Sequence, residues 1–411
     1  MPTDVLVLGA GMVGTCTALQ LARRGHSVAL VDRQAPGRET SYGNAGIIQR
    51  EAVEPYAFPR DWSSVLDAAL NRGPDVHYHL GALPAVMPRL ARYWHESAPG
   101  RYAAIARDYS RLIQHCLSEH DALITESGAA DLVRKEGFRV GFRTQAAMDV
   151  AAKSADDLRQ RYGVRFTLLD GDTLTSAEPG LHGRLQGALH WQDPWSVSDP
   201  GELVDRYVQR FVDLGGQVAR GDAASLRPAA DGWQVRTTDG PLRARHAVIA
   251  LGPWAGELTN SLGYRLPLFV KRGYHRHYRG GPGLRIPLLD AERGLVIAPM
   301  AAGMRITTGA EFARLDARST PVQLDKAEAA ARELIDLPEP VESMPWLGNR
   351  PCTVDMKPVM GPAPRHAGLW FNFGHSHQGF TLGPVSGRLL AEMIEGSRPL
   401  VDPSPFLPTR F

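Results

Sequence analysis

The chain has 411 residues, 43% of them hydrophobic and 22% charged, with a formal net charge of +2. This near-balance, without a clustered basic stripe, argues against a nucleic-acid partner. The three scattered cysteines, Cys16, Cys116 and Cys352, suggest neither a disulfide framework nor a metal site and fit a reducing cytoplasm. The length suits about two domains. No run of 18 apolar residues is present, and a first strand at residue 5 leaves no room for a signal peptide.

Val5–Leu8 reads as a short, fully buried strand, and Gly9, Gly11 and Gly14 follow it with the spacing G-x-G-x-x-G. The first glycine permits a tight turn, the second lets a pyrophosphate approach the backbone, and the third lets helix and strand pack closely. Thr15–Arg24 is the expected helix, ended by Gly25; its N-terminus offers free N–H groups and a favourable dipole to a phosphate. Val28–Val31 is the second strand. Asp32, at its end, is placed to accept hydrogen bonds from ribose hydroxyls.

Glu39–Ile48 reads E-T-S-Y-G-N-A-G-I-I, a loop of small residues that can bring bare backbone against a flat ring. With the glycine motif, it resembles the D-amino-acid oxidase/dehydrogenase superfamily of FAD enzymes, which includes glycine and sarcosine oxidases. The stretch is most similar to bacterial D-amino-acid dehydrogenases. The resemblance implies that Thr40 and Ser41 lie near the pyrophosphate and that Asn44, Ala45 and Gly46 lie against the flavin. Gly43 departs from the family's usual alanine. The expected fold class is α/β, a Rossmann-type FAD-binding domain with a second α+β substrate domain built on an antiparallel sheet. The expected boundaries are 1–55, 197–256 and 345–411 for the cofactor domain, and 56–196 and 257–344 for the substrate domain.

Prolines punctuate a helical region from Pro55 to Val133, in which Arg101–Ser127 reads as one long amphipathic helix. Trp62, Tyr93 and Trp94 read as core or domain contacts, and His77 and His79, without a matching ligand pair nearby, read as non-metal. Gly137–Arg143 alternates like a strand, Ala146–Tyr162 reads as a helix and Ala188–Trp191 as a short strand. Asp199 is the expected cap of a helix that Pro200 opens. The resemblance implies backbone contact to adenine around Ala223. It also implies that the buried strand Ala247–Leu251, ending in Gly252, passes the flavin. From Pro267 to Phe312, strand-like segments suggest an antiparallel floor for the substrate domain, and Asp325–Ile335 reads as a short helix.

The last informative stretches are Trp346–Pro362 and Gly374–Ile394, with an amphipathic helix expected over Val385–Ile394. The resemblance places the turn before that helix against the flavin pyrimidine. The cofactor-binding set is then Gly9, Gly11, Met12, Val13, Gly14, Asp32, Arg33, Thr40, Ser41, Asn44, Ala45, Gly46, Ala223, Gly252, His375, Gly379, Phe380 and Thr381. Arginine suits a substrate carboxylate because its planar fork binds it bidentately. Arg350, in G-N-R-P, is the leading candidate, since related glycine oxidases carry their carboxylate-binding arginine there; Arg272 and Arg305 are weaker ones. Tyr274, in R-G-Y-H, could bond the same carboxylate, and His275 either contacts substrate or packs in the core. No catalytic base is required, because a reacting amine can lose its proton to water before binding.

Cys352 falls away from the position where sarcosine oxidases attach flavin, so FAD is expected to be non-covalent. Those oxidases also carry an oxygen-activating lysine where Arg305 stands here. The expected activity is a D-amino-acid dehydrogenase passing electrons to a quinone or another carrier. D-proline or hydroxy-D-proline is a narrower substrate guess. A glycine- or sarcosine-type oxidase and a flavin-carrying subunit of a larger electron-transfer complex are the alternatives. The expected location is cytoplasmic, with peripheral contact to the inner membrane left open and the oligomeric state unassigned.

Overall fold

The computed structural model describes residues 3–61, 76–182, 185–280 and 283–411; Trp62 lies outside them. The strand Thr3–Leu8 is central to the first sheet because Val5 to Leu8 are all buried. It pairs in parallel with Val28–Asp32 on one side and Gly240–Ile249 on the other. Gln217–Ala229 and Leu369–Phe373 extend the parallel sheet on the two sides, and Val359–Pro362 closes one edge antiparallel. Gly232–Thr237 joins Gln217–Ala229 and Gly240–Ile249 in an antiparallel meander. Strand order therefore reverses between Thr3–Leu8 and Gly240–Ile249. Such a switch point leaves a crevice beyond the strand ends, where ligands bind in open α/β sheets.

Two helices lie side by side at this crevice. Met12–Ala22 starts three residues earlier than expected, and Gly379–Glu395 starts six residues earlier, running through Pro384. They are parallel and close. A Cβ on Gly383 would lie 2.6 Å from Met12 Cγ, and one on Gly387 2.7 Å from the Cys16 carbonyl carbon. Pro200–Asp213 also packs on Met12–Ala22. Asp199 caps it as expected, its Oδ1 accepting from Gly201 N at 2.9 Å and Glu202 N at 3.0 Å.

The second sheet has ten strands among the described residues and is mainly antiparallel. Two pairings are parallel, Leu288–Asp290 with Phe138–Phe142 and Ala310–Phe312 with Val76–Tyr78. Its spine is Leu268–Tyr278. Trp346–Thr353, expected on the cofactor side, bonds along this spine from Leu268↔Thr353 to His275↔Trp346. The backbone of that segment thus belongs to the second sheet, although its side chains reach the crevice. The expected long helix over Arg101–Ser127 is two helices, Pro99–Ile113 and Cys116–Glu126. The break at Gln114 and His115 lets Cys116, Leu123 and Ile124 turn into the core under Met12–Ala22 and Gly379–Glu395. A short helix, Gly171–Ala177, was not expected; Asp170 caps it.

Candidate active site

Between the two sheets runs a cleft with about 1530 Å³ of atom-free space, its open mouth included. The first turn explains its shape. Gly9 has φ +104, and a Cβ there would lie 2.5 Å from Ala250 O, so only glycine lets the two central strands approach this closely. Gly14 does not line the cleft. A Cβ on it would fall 1.8 Å from Gly9 O, so its part is the tight packing of helix on strand.

Gly9, Gly11, Met12 and Val13 do line the cleft. The helix they open carries no acid in its first turn and no side-chain cap from Gly11. Ser41 Oγ instead accepts from Met12 N at 2.9 Å, which ties the T-S segment to the helix start. Asp32 lines the cleft with one carboxylate oxygen on Ala10 N, 2.6 Å, and the other on Gln34 N, 2.9 Å. Arg33 lies over the Trp254 ring at 4.2 Å, and both line the cleft beside Ala223 and Gly252.

Thr40 and Asn44 line the cleft too; Ala45 and Gly46 do not. Asn44 Oδ1 accepts from Gly46 N at 2.8 Å and shapes the loop. Gly46, at φ +68, has its Cβ direction aimed at Val197 O, 2.3 Å away, so it serves the contact with the strand Trp195–Val197 rather than a ligand. The expected flavin contact at Gly46 is therefore corrected to a packing role. Thr381 is likewise outside the lining: its Oγ1 accepts from Gln49 N at 3.1 Å.

The candidate substrate residues separate clearly. Tyr274 lines the cleft, but its hydroxyl is committed to Arg272 Nη2, Glu311 Oε2 and Thr320 N, all within 3.0 Å. It cannot also hold a substrate carboxylate. Arg272 is fully buried against Glu311 and the carbonyls of Ala317 and Arg318, so it too is taken. Arg305 is spent on His277 Nε2, Tyr42 O and Asn44 O, and burial pushes its pKa down to about 10. His275 lies outside the lining, stacked on Trp346 at 4.7 Å and 17°. Burial first, then the neighbouring Arg305 and His277, push its pKa down to about 2. Its catalytic reading is corrected to a buried support for Trp346.

Arg350 is different. Its guanidinium crosses Gly273, where a Cβ would fall 2.6 Å from Nη2, and donates only to the carbonyls of Gly309, Thr308 and, weakly, Arg272. No carboxylate faces it among the described residues, it lines the cleft, and burial lowers its pKa. A partly buried guanidinium on the cleft wall, with no carboxylate against it among the described residues and donors to spare, is a site for an anion.

His375 and His377 both line the cleft, flanking Ser376, which sits at φ 55. Each has a buried Nε2 with no partner among the described residues, and burial pushes each pKa down to about 3, so both rings are neutral. His377 meets Tyr56 edge-on at 4.5 Å. Gly379 and Phe380 open the C-terminal helix at the cleft, again with no acid in the first turn.

The sequence did not mark Trp346. Its indole lies between Gly43 and Gly348, where added Cβ atoms would sit 1.8 and 2.0 Å from the ring. Glycine in place of the usual alanine at 43 was the one signal for it. His77, His79 and Glu311 come within 4.8 Å of one another because Ala310–Phe312 pairs with Val76–Tyr78. Glu311 already accepts from Arg272, Tyr274 and Thr320, so a cation there would have to displace bonds that hold the sheet.

These residues fit a flavin dinucleotide. Glycines leave room at the backbone, two acid-free helix starts face the cleft, and a carboxylate ends the second strand. The chain matches the family described as FAD dependent oxidoreductase over residues 4–393 and belongs to it. It is thus an FAD-dependent oxidoreductase. Among curated proteins it is 30% identical to a D-amino-acid oxidase of Bradyrhizobium diazoefficiens, covering 99% of this chain and 98% of that one. It is 33% identical to a D-amino acid dehydrogenase of Cereibacter sphaeroides, covering 97% and 93%. Among solved structures, glycine oxidase from Geobacillus kaustophilus shares the fold, with a TM-score of 0.72 at 23% identity over 99% of this chain and 98% of that one. Among the described residues no helix is long and apolar enough to cross a membrane.

Proposed function

We propose that the protein is a D-amino-acid dehydrogenase, and the single observation that carries this reading is the unneutralised Arg350 in the cleft. Bound FAD, held without a covalent link, supplies the hydride acceptor. The buried Cys352 does not line the cleft, in keeping with that attachment. The protein's task is to present the substrate Cα–H to the ring and to fix the carboxylate. Arg350 fixes it through its remaining N–H groups. The neutral His375 and His377 add no charge that would repel an amine. The product is an imino acid, which water hydrolyses unless it is cyclic.

Relatives bearing both oxidase and dehydrogenase names leave the acceptor to be assigned. Arg305 favours a quinone or another carrier over oxygen, because it lies outside the cleft lining, with Nη1 on the Tyr42 and Asn44 carbonyls and Nε on His277. D-Proline and hydroxy-D-proline stay within the proposal as a substrate subset, since a secondary amine needs the same carboxylate anchor. The test is anaerobic: the yellow holoenzyme is mixed with a panel of D-amino acids that includes both cyclic ones. Bleaching with at least one, and reoxidation faster by a quinone analogue than by oxygen, is expected. No bleaching across the panel overturns the reading.

A further inference from the structure

The C-terminal helix contains an irregularity that points to a residue outside the cleft. Pro384 lies within Gly379–Glu395 and has no N–H, so the carbonyl four residues earlier, Phe380 O, loses its helical donor. That carbonyl belongs to the first turn of the helix, whose residues Gly379 and Phe380 line the cofactor cleft. An unpaired carbonyl there would be costly and would leave the turn free to tilt.

The donor comes from another element. His120, on the helix Cys116–Glu126, is 0% exposed, and its Nε2 lies 3.0 Å from Phe380 O. Its Nδ1 lies 3.1 Å from the hydroxyl of Tyr207, on the helix Pro200–Asp213. A carbonyl can only accept, so Nε2 carries the hydrogen and Nδ1 accepts from Tyr207. Burial, which pushes the His120 pKa down to about 4, keeps the ring in this neutral tautomer. One imidazole thus stands in for the missing proline N–H and clamps three helices.

We propose that His120 is a positioning residue for bound FAD: by completing the first turn of the helix Gly379–Glu395, it holds the N–H groups of that turn at the flavin. The inference rests on the FAD family and not on the substrate reading. It therefore stands or falls separately from the D-amino-acid assignment.

The test uses the holoenzyme and reads the FAD dissociation constant and the flavin midpoint potential beside the melting temperature. Loss of one such bond should weaken FAD binding about tenfold in H120L and make the flavin harder to reduce. H120Q, whose amide can donate to Phe380 O and accept from Tyr207, should recover both. P384A returns an N–H to the helix, so the double variant P384A/H120L should regain most of the FAD affinity that H120L loses. Should H120L not accumulate as folded protein, H120N, with an amide too short to reach, replaces it with the same expectation. A lowered melting temperature with unchanged FAD affinity and potential overturns the proposal. So does failure of P384A to restore FAD binding.

Discussion

Replacing Arg350 by methionine tests the substrate site most directly. The guanidinium has five N–H donors. Two bonds go to Gly309 O at 2.8 Å and Thr308 O at 3.2 Å, with a marginal third to Arg272 O at 3.5 Å. At least two donors therefore remain for a carboxylate. A desolvated, bidentate carboxylate–arginine pair is worth about 3–4 kcal/mol, so R350M should lower kcat/KM by roughly two to three orders of magnitude. Lysine keeps the charge but not the fork, and R350K should fall in between. Stability should move the other way or not at all, because the substrate-free protein loses a partly buried cation that has no carboxylate partner among the described residues. Anaerobic flavin reduction as a function of substrate concentration separates binding from chemistry: the substrate Kd should rise while the Kd for FAD holds. A kcat/KM within threefold of the parent, or a loss of FAD instead of substrate affinity, would refute the assignment.

Three further predictions follow from the packing around the cleft. G43A puts a methyl 1.8 Å from an indole already held by the His275 stack and by Gly348, and should cost about 1–3 kcal/mol, read as a lower melting temperature. An unchanged melt would mean the indole is not fixed. Y274F removes a hydroxyl bonded to Arg272, Glu311 and Thr320 N; stability should drop by about 1–3 kcal/mol while substrate KM stays within about twofold. A large KM change would return the hydroxyl to the substrate. His120, His275, His375 and His377 all have pKa values held below the ordinary 6.5 by burial. The unfolded chain binds their protons first, so stability is present above about pH 6.5 and is lost progressively toward pH 3. Glu51, pushed up to about 8 by burial, acts in the opposite sense, as do Glu178 and Asp205, but burial also lowers His77, His115, His190, His246 and His277, so the histidines prevail. Urea midpoints should therefore fall between pH 6.5 and pH 5, and a midpoint that rises would contradict the four buried neutral rings.

The cofactor half of the site was legible because its rules are local. Gly9 needs positive φ, Gly14 must sit against Gly9 O, and Asp32 lies one helix away in sequence from the turn whose Ala10 N–H it accepts. Asp199 with Pro200 announced a helix start on the same footing. Local rules failed where a distant group compensated for a broken one. The helix expected over Val385–Ile394 begins at Gly379 and runs through Pro384, and His120, 260 residues away, meets the carbonyl that the proline leaves without a donor. Gly46 and Thr381 carried the right residue types for a ligand contact, yet their partners are Val197 and Gln49.

The substrate half was only partly legible. The resemblance ranked Arg350 ahead of Arg272 and Arg305, and the tertiary structure supplied the physical reason. The fold gives Arg272 a carboxylate from Glu311, 39 residues on, and gives Arg305 two loop carbonyls more than 260 residues back. It leaves Arg350 with neutral carbonyls and an open cleft. A carboxylate removes Arg272 from consideration, and Arg305, which like Arg350 meets only neutral acceptors, is set apart by lying outside the cleft lining; both outcomes depend on remote segments of the chain. The sequence determined the glycine turn, the acid after the second strand and hence the flavin dinucleotide family; the packing of one sheet against the other determined which arginine lines the cleft with no carboxylate against it among the described residues, because such partners come from remote segments.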